Sequence, residues 1–408
     1  HLSLRRQRQM CIRDRFKTGR IFLPYDPTTP APGGLFMKRG TLKLLGMLAV
    51  LSIALVLAVG CSDMRENPTA PTEVQTAPQL SISSPITQNL MVVQALHTRE
   101  LMSKPGVVGT AIGLNDEGKP AILVLLKDSS ARSGVPRKID GYPVAIRITG
   151  EIKALGKPPG VGPSPKVDHK ARQERPIQLG VSGGNAYDLA NGYCCSGTLG
   201  ALVTKGGKYY ILSNTHVFAH DMVSSAGDPD VAEIGDPINQ PGLIDVSCQD
   251  IPEDYVAYLS TLQSYDHNVD CAIAEIIDGA VRTDGSILEI GVLSSSIVDA
   301  YVGQAVKKSG RTTGLTRSTV DGLNATVSVS YDDECNGSTF TITYTGQILI
   351  KNRASKFLAG GDSGSLMVED VDSYPRAVGL LFAGSNTIAV ANPIADVLGY
   401  LNASMVGQ

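Results

Sequence analysis

The sequence predicts an all-β fold for the longer, C-terminal part of the chain, and three observations lead to this expectation. The 408 residues include 43 glycines and 23 prolines, and only 18% are charged. From Ile177 onward, short apolar runs alternate with Gly, Asp and Asn. The hydrophobic content of 42% is enough for a sizeable core. This combination is typical of a loop-rich β sandwich or barrel.

The chain begins with 36 residues that are basic and show no regular hydrophobic pattern. They precede a better initiator at Met37. We therefore expect residues 1–36 to be an upstream, non-structural segment, with a genuine cytoplasmic extension as the alternative.

Residues 37–61 have the pattern of an export signal. Lys38, Arg39 and Lys43 precede an uninterrupted run of apolar and small residues from Leu44 to Gly60, and Cys61 follows directly. This segment resembles a bacterial lipoprotein signal, which implies lipidation of Cys61 and a position at the cell envelope, at the outer membrane or its periplasmic or extracellular face. A short membrane-spanning anchor is the alternative, because the run is close to the minimum length that crosses a bilayer.

Residues 62–86 are rich in Pro, Thr and Ser, which predicts a flexible tether. Residues 87–155 predict a small α/β module, with an amphipathic helix over 88–102 and strands at 107–114, 121–126 and 142–148. Two roles remain open for this module: a pro-segment that assists folding or blocks an active site, and a spacer or interaction module. The Pro- and Gly-rich linker at 156–176 is the most plausible place for proteolytic release.

Ser363 is the first candidate for chemistry. It lies in GGDSGSLMV, Gly360 to Val368, where glycines on both sides favour a sharp turn into an apolar strand. Such a turn can direct the N–H groups of neighbouring residues at an attacked carbonyl oxygen. These features predict a nucleophilic serine.

A serine nucleophile needs a general base and an acceptor that orients that base. His216 follows the apolar run from Tyr209 to Leu212 and a few small polar residues, so it is expected in a loop after a strand. Asp270 comes directly before the apolar run CAIAEI, at the entrance of a strand. The sequence therefore predicts a triad of His216, Asp270 and Ser363.

The segments LSNTHVF, VDCAIAEI and GGDSGSLMV resemble, in this order, the catalytic segments of chymotrypsin-like serine proteases. Two further segments agree: KKSGRTTGLTRSTV is similar to a segment of bacterial secreted members such as streptogrisins and alpha-lytic protease, and CSGTLGALV to the strand that leads to the histidine loop. The resemblance covers residues 177–408. It implies two antiparallel six-stranded β-barrels with the active site between them, and a C-terminal helix in NPIADVLGYLNA.

The resemblance also implies an activity, which is the hydrolysis of peptide bonds in a polypeptide substrate through an acyl-enzyme. The N–H groups of Gly361 and Ser363 would form the oxyanion hole. We expect neither a cofactor nor a metal ion, and the net charge of −3 gives no reason to expect nucleic acid as a partner. His220 and His267 lie near the catalytic residues in sequence, but neither has a partner at zinc spacing.

The resemblance also assigns roles to Asp362, Lys308, Phe357 and Gly384. Asp362 is expected to pair with Lys308, with Arg311 as the second candidate and a solvated Lys308 as the alternative. Phe357 stands at the base of the specificity pocket, where an aspartate would select lysine or arginine. Together with Gly384 it favours an apolar or shallow pocket.

The cysteines and the acidic residues lead to two further expectations. Cys195 matches a family cysteine whose usual partner is replaced beside His216, so the sequence assigns no disulfide. No Lys or Arg lies between Tyr209 and Val281, and a solvated acidic loop is favoured over a calcium site there. The residues concerned are Asp221, Asp228, Asp230, Glu233, Asp236, Asp245, Asp250, Glu253 and Asp254.

Two functional classes follow from these observations. The favoured one is an active, lipid-anchored serine endopeptidase. The alternative is a catalytically inactive pseudoprotease that binds peptides or serves as a scaffold. An intact His216, Asp270 and Ser363 favours the enzyme, because a binding module gains nothing from this trio.

Overall fold

The computed structural model describes residues 80–154, 167–190, 193–219, 232–261, 267–333 and 338–408. The predicted upstream segment (1–36), the export signal (37–61) with Cys61, most of the tether, the last residue of the predicted module and residues 156–166 of the linker lie outside this range. So do His220 and the acidic residues Asp221, Asp228 and Asp230. Within the described ranges, none of the helices has the length and apolar character needed to cross a bilayer.

Three α-helices are present in the described residues: α1 (Pro85–Met102), the single turn α2 (Thr215–Phe218) and α3 (Ile394–Leu401). The predicted helix over 88–102 is confirmed, and it begins three residues earlier. Ser84 caps α1 by accepting a hydrogen bond from Thr87 N, and Pro85 occupies the first turn, where its missing N–H has no helical partner to lose. Short 3₁₀ helices cover Ser129–Gly134, Leu243–Val246, Pro252–Asp254 and Arg353–Ser355.

The strands before residue 160 are β1 (Val107–Leu114), β2 (Pro120–Leu126), β3 (Lys138–Ile139), β4 (Tyr142–Ile148) and β5 (Ile152–Ala154). Those of the next part are β6 (Val181–Asn185), β7 (Leu189–Ala190), β8 (Tyr193–Cys194), β9 (Gly197–Leu199), β10 (Ala201–Lys205), β11 (Lys208–Ser213), β12 (Pro237–Asn239), β13 (Tyr255–Thr261), β14 (Ala272–Ile276), β15 (Ser286–Ile287) and β16 (Gly291–Val292). The last strands are β17 (Ala305–Lys308), β18 (Thr316–Asp333), β19 (Ser338–Lys351), β20 (Leu366–Glu369), β21 (Ala377–Gly384), β22 (Ile388–Pro393) and β23 (Ser404–Met405).

Two large sheets hold most of these strands. The first sheet has eight strands in the order β23-β10-β11-β14-β13-β12-β6-β9. The second contains a closed ring of β17, β20, β21, β22, β19 and β18, because β17 pairs with both β20 and β18. Closing a sheet in this way leaves no exposed edge strand in the ring. The predicted fold class is thus confirmed: the protein is mostly β, with two antiparallel strand systems and a C-terminal helix.

The strands of the predicted α/β module continue the second sheet. Beyond β18 the order runs β1-β2-β4-β3, with Thr110 opposite Thr326 in the antiparallel β1–β18 pair. Helix α1 covers this extension and contributes Leu90 and Leu101 to a core shared with Ile122 of β2. Strands β1 to β4 and the closed ring of strands, the second barrel, therefore belong to one hydrogen-bonded sheet.

A long hairpin, β18–β19, rises from the second barrel. Its strands have 18 and 14 residues, about three times the usual strand length. Bulges interrupt the pairing between Val320 and Val327, and the pairing is regular from Val327 to Asp333. This regular part carries Tyr331, whose hydroxyl contacts Asp270, the residue that precedes β14 of the first sheet by two positions.

Candidate active site

His216 and Asp270 come together because β11 and β14 are antiparallel neighbours. Ser213, the last residue of β11, lies opposite Ala272, the first residue of β14. His216 follows the end of β11 in the turn α2, and Asp270 precedes the start of β14, so both residues lie at the same end of the strand pair. The Nδ1 atom of His216 lies 2.6 Å from Oδ2 of Asp270.

The Asp270 carboxylate is almost fully buried and is held on both oxygens. Thr215 N donates to Oδ1 at 2.7 Å, and the Tyr331 hydroxyl donates to Oδ2 at 2.9 Å. The Asp270 backbone is fixed as well, because Asn214 Nδ2 donates to its carbonyl at 2.7 Å and Asn392 contacts both its N–H and its carbonyl at 3.3 Å. Satisfied hydrogen bonds allow a carboxylate to remain charged in a buried position.

The second nitrogen of His216 is available. Among the described residues, Nε2 has no hydrogen-bond partner, although the side chain is only 8% exposed. A carboxylate at Nδ1 favours the tautomer with its proton on that atom, which leaves a lone pair on Nε2. The imidazole can therefore accept a proton at Nε2.

Ser363 lies on a tight turn that packs against the strands leading to His216. Gly361 and Gly364 flank it with φ values of +86° and +87°, a backbone region that only glycine enters readily. A Cβ on Gly364 would lie 2.1 Å from Ser213 Oγ and 2.5 Å from the Thr198 carbonyl, so no larger residue fits. The Ser363 carbonyl accepts a hydrogen bond from Thr198 N at 2.9 Å. The turn is thus fixed between β9 and the end of β11.

The Ser363 hydroxyl donates to the Phe382 carbonyl at 3.3 Å. It does not hydrogen-bond His216 in this structure, and Ser363 is fully buried. The N–H groups of Gly361 and Ser363 have no hydrogen-bond acceptor among the described residues, whereas Asp362 N donates to the Ala359 carbonyl and Gly364 N to the Leu381 carbonyl. The arrangement leaves the predicted oxyanion donors unoccupied.

Asp362, beside the serine, lies against Lys308. Lys308 Nζ is 3.3 Å from Asp362 Oδ2, and both side chains are fully buried. The carboxylate also accepts hydrogen bonds from Thr312 N at 2.8 Å and from the Thr313 hydroxyl at 2.7 Å. Burial lowers the pKa of Lys308, and the Asp362 charge opposes that shift. The pair holds the serine turn against the segment Ser309–Gly314.

Arg311, the second candidate partner of Asp362, pairs with Asp245 instead. Its Nε and Nη2 atoms contact the two carboxylate oxygens at 2.7 and 2.6 Å. Asp245 and Asp254 were expected in a solvated acidic loop, and this expectation is wrong for both: Asp254 is buried and forms a two-point contact with Arg172 at 2.6 Å. Both cations come from outside the acidic stretch, so its own composition did not reveal them.

Phe357 and Gly384, the residues predicted to form a specificity pocket, lie in different surroundings. Phe357 is buried in the core of the second barrel, in a cluster that includes Met367 and Leu381. Gly384 ends β21 and is the strand partner of Lys153. Their proposed role in substrate selection stays a prediction.

Strand β5 fills the side of β21 that β20 leaves open. The β20–β21 pairing ends at Leu380, and beyond it Ala154 lies opposite Ala383 and Lys153 opposite Gly384. On its other side β5 runs parallel to β18, and Ile152 is fully buried. β5 therefore lies one residue from Phe382, whose carbonyl accepts the Ser363 hydroxyl.

Several site features could not be found from the sequence. Tyr331 and Asn392 are 61 and 122 residues from Asp270, and nothing in their local patterns marks them. A disulfide joins Cys194 to Cys248 across 54 residues. In the part of the chain that the structure describes, no group of three or more His, Cys, Asp or Glu side chains has the geometry to hold a metal ion.

A family model described as the Nal1 C-terminal domain matches residues 246–391, which include Asp270 and Ser363. No curated protein matches the chain.

Several of the similar solved structures are proteases. A glutamic acid-specific serine protease that uses a histidine triad in substrate binding is 20% identical, with a TM-score of 0.36, over 56% of this chain and 100% of that one. Thermobifida fusca protease A is 20% identical, with a TM-score of 0.37, over 57% of this chain and 99% of that one. An alpha-lytic protease homologue is 19% identical, with a TM-score of 0.35, over 56% and 98%.

Proposed function

We propose that this protein is a serine endopeptidase that hydrolyses peptide bonds through an acyl-enzyme on Ser363. The observation that carries the proposal is the 2.6 Å contact between His216 Nδ1 and Asp270 Oδ2, together with an Nε2 atom that has no partner among the described residues. The glycine-flanked turn of Ser363 packs against Thr198 and Ser213, close to the strand end that leads to His216.

The reaction follows from the roles of these groups. His216 Nε2 takes the Ser363 hydroxyl proton as Oγ attacks a peptide carbonyl, and the N–H groups of Gly361 and Ser363 stabilise the resulting oxyanion. The imidazolium then donates its proton to the leaving amine, and the acyl-enzyme forms. A water molecule, deprotonated by the same nitrogen, attacks the ester and releases the acid. Asp270 keeps the Nδ1–H tautomer throughout.

The serine must move before this reaction begins. Its hydroxyl is bonded to the Phe382 carbonyl at 3.3 Å. A rotation about the Cα–Cβ bond of Ser363 would break that bond and turn Oγ towards the imidazole. Staggered rotamers interconvert easily when the surrounding space allows, so this step needs room at the site.

We propose that residues 87–155 act as a pro-segment that blocks the site, which was one of the two roles left open by the sequence. The support is the pairing of β5 with Ala383 and Gly384, next to the carbonyl that holds the serine hydroxyl. An extended peptide commonly binds by adding a strand to an open strand edge, and β5 occupies that edge here. A cut in the linker 156–176 would leave the pro-segment held by noncovalent contacts alone.

The proposal includes a location and a substrate class. Lipidation of Cys61 would anchor the chain at the cell envelope, where a polypeptide is the substrate. Its test is metabolic labelling with a fatty-acid analogue: label that is lost in Cys61→Ser supports the anchor, and equal label in both proteins contradicts it.

A fluorophosphonate probe tests the catalytic proposal, because it phosphonylates only an activated serine with loss of fluoride. The expected result is labelling that Ser363→Ala and His216→Ala both abolish, and that rises after the linker is cut. With a cleavable peptide, Ser363→Ala is expected to lower turnover on the order of a millionfold. A loss of less than about tenfold contradicts the assignment of Ser363.

The rival function is a peptide-binding pseudoprotease. The full burial of Ser363 favours it, since a closed site without a release step performs no catalysis. A folded protein that stays unlabelled after the linker is cut would support this rival.

A further inference from the structure

The Asp270 carboxylate has a third hydrogen-bond donor that the triad does not require. Oδ2 accepts from His216 Nδ1 at 2.6 Å and also from the Tyr331 hydroxyl at 2.9 Å. Oδ1 accepts from Thr215 N at 2.7 Å. Histidine and tyrosine therefore share one oxygen, and the tyrosine belongs to the other half of the protein, on β18.

Tyr331 is in turn bonded to Tyr344 of β19. Their hydroxyl oxygens are 2.7 Å apart. Each hydroxyl carries a single proton, and the proton of Tyr331 points to the carboxylate. The proton of Tyr344 must then lie between the two phenolic oxygens, so the order of donation is Tyr344 to Tyr331 to Asp270. Hydrogen bonds in such a chain polarise one another and strengthen the last one.

The position of Tyr331 is fixed by its packing. The ring is 3% exposed and stacks on Phe340, with centroids 5.3 Å apart and planes inclined by 9°. Its edge also meets the His216 ring, at a centroid distance of 5.9 Å and an angle of 73°. Tyr344 is fully buried and packs edge-on against Phe382. The hydroxyl of Tyr331 therefore has little freedom to leave the carboxylate.

We propose that Tyr331 is a positioning residue of the active site, which holds the Asp270 carboxylate in line with His216 Nδ1 and shares its negative charge, with Tyr344 as its supporting donor. This inference rests on the proposed protease function. It assigns to the β18–β19 hairpin a role in catalysis, since the hairpin brings a proton donor from the second sheet to the carboxylate that precedes β14 of the first sheet.

The groups around the Asp270 carboxylate support the proposed roles of Tyr331 and Tyr344. Among the described residues, the ionisable side chains around Asp270 are His216, Tyr331 and Cys271, with Tyr344 one contact further. Burial first, and then the Asp270 charge, raises the pKa of Tyr344 and the pKa of Cys271. Tyr344 therefore stays protonated at neutral pH and remains a donor.

Loss of the Tyr331 hydroxyl has two expected effects. The carboxylate loses a fixed donor, so the imidazole is less well oriented and the serine reacts more slowly. The negative charge on Asp270 is also shared with fewer donors, which stabilises the imidazolium more strongly. The base then becomes neutral only at higher pH, and the pH midpoint of the reaction moves upward.

The test is the rate of fluorophosphonate labelling as a function of pH, measured on the chain after the linker 156–176 has been cut. Tyr331→Phe is expected to lower the plateau rate by about 10-fold to 100-fold, in line with a hydrogen bond to a charged group, and to raise the midpoint. Tyr344→Phe should also lower the plateau rate and raise the midpoint, but by smaller amounts. Tyr258→Phe, which removes the hydroxyl of a half-exposed tyrosine on β13, is the matched control and should leave both unchanged.

A purely structural role for the hydroxyl gives a different result. In that case Tyr331→Phe would change thermal stability but leave the midpoint of the pH profile at the wild-type value. That outcome, or labelling at the wild-type rate, overturns the proposal.

A second measurement separates this inference from the proposed function. In a Ser363→Ala background, the Nδ1–H proton resonance and the titration of His216 can be followed by NMR without any catalysis. If the wild-type chain stays unlabelled after the linker is cut, the protease proposal fails, and the NMR titration still decides the role of Tyr331. An upward shift in Tyr331→Phe supports the contact, and identical titrations refute it.

Discussion

Lys153 of β5 and Gly384 of β21 are antiparallel strand partners, and this pairing places a segment from before the linker beside the candidate nucleophile. Phe382, two residues before Gly384, accepts the hydroxyl hydrogen bond of Ser363. The edge of β21 that we propose for an extended substrate is therefore occupied by β5 of the same chain. Access to the site and the stability of β5 must then be linked.

Weakening β5 is expected to open the site. Ile152 is fully buried between the strands of the second sheet, and Ile152→Asp would bury an unpaired carboxylate. Such a charge costs well over ~1.4 kcal/mol, so we expect fluorophosphonate labelling of the cut chain to accelerate by at least about tenfold. Lys153→Ala is the control, because its side chain is exposed and the backbone pairing remains. Equal rates for Ile152→Asp and the wild type would show that β5 does not limit access.

The ion pair beneath the serine turn is expected to be essential for stability. Lys308→Met removes the cation from a fully buried contact and leaves the Asp362 carboxylate uncompensated. Breaking a buried pair in this way costs about 3–5 kcal/mol, which a denaturant titration would detect. The double variant Lys308→Met with Asp362→Asn should recover most of that loss, because no buried charge remains. A single variant as stable as the wild type would contradict the assignment of this pair.

The disulfide is expected to stabilise the fold by restricting the unfolded chain. Cys194 and Cys248 are 54 residues apart, and closing a loop of this length corresponds to about 4 kcal/mol in the chain-entropy account. The variant Cys194→Ser with Cys248→Ser should therefore unfold at a lower denaturant concentration. Reducing agent should bring the wild type to the midpoint of the variant and leave the variant unchanged. A reductant effect of equal size in both proteins would rule out this bridge as the cause.

The residues predicted from the sequence are those with a local signal. Ser363 is flanked by glycines, His216 follows an apolar run and Asp270 precedes one, and each pattern is contained within a few residues. Tyr331 has no such signal, because its contact with Asp270 depends on the register of the long β18–β19 hairpin and on how far that hairpin reaches.

The partners of Arg311 and Cys194 were hidden for the same reason. Asp245 and Cys248 lie close together in sequence, but neither the charge pattern nor the cysteine spacing selects one partner over another. The pairing of β1 with β18 also joins segments that are about 200 residues apart in sequence. The helix and strands of residues 85–148 were predictable from their periodicity, whereas the neighbour of β1 was not.

The pairing of β1 with β18 leads to the last prediction, which concerns whether residues 85–148 and the second barrel unfold together. Gly113 of β1 lies opposite Gly322 of β18, and a Cβ there would meet Leu123 Cδ1 at 2.6 Å and the Asp321 carbonyl at 2.7 Å. Gly113→Val must therefore separate β1 from β18 or displace Leu123, and overpacking of this kind costs about 1–3 kcal/mol.

The expected result is a single thermal transition, as in the wild type, at a temperature lower by several degrees. Gly134→Ala is the matched control, since a Cβ at that position meets no atom within 4 Å and the glycine has no positive φ. If the two parts fold separately, Gly113→Val should instead split the unfolding curve, with one transition unchanged from the wild type. Hydrogen exchange at Thr326 and Val327, which lie opposite β1, provides a second measurement. If the two parts unfold together, these amides exchange only when the whole sheet opens; if β1 separates alone, exchange there is faster than in the rest of the barrel.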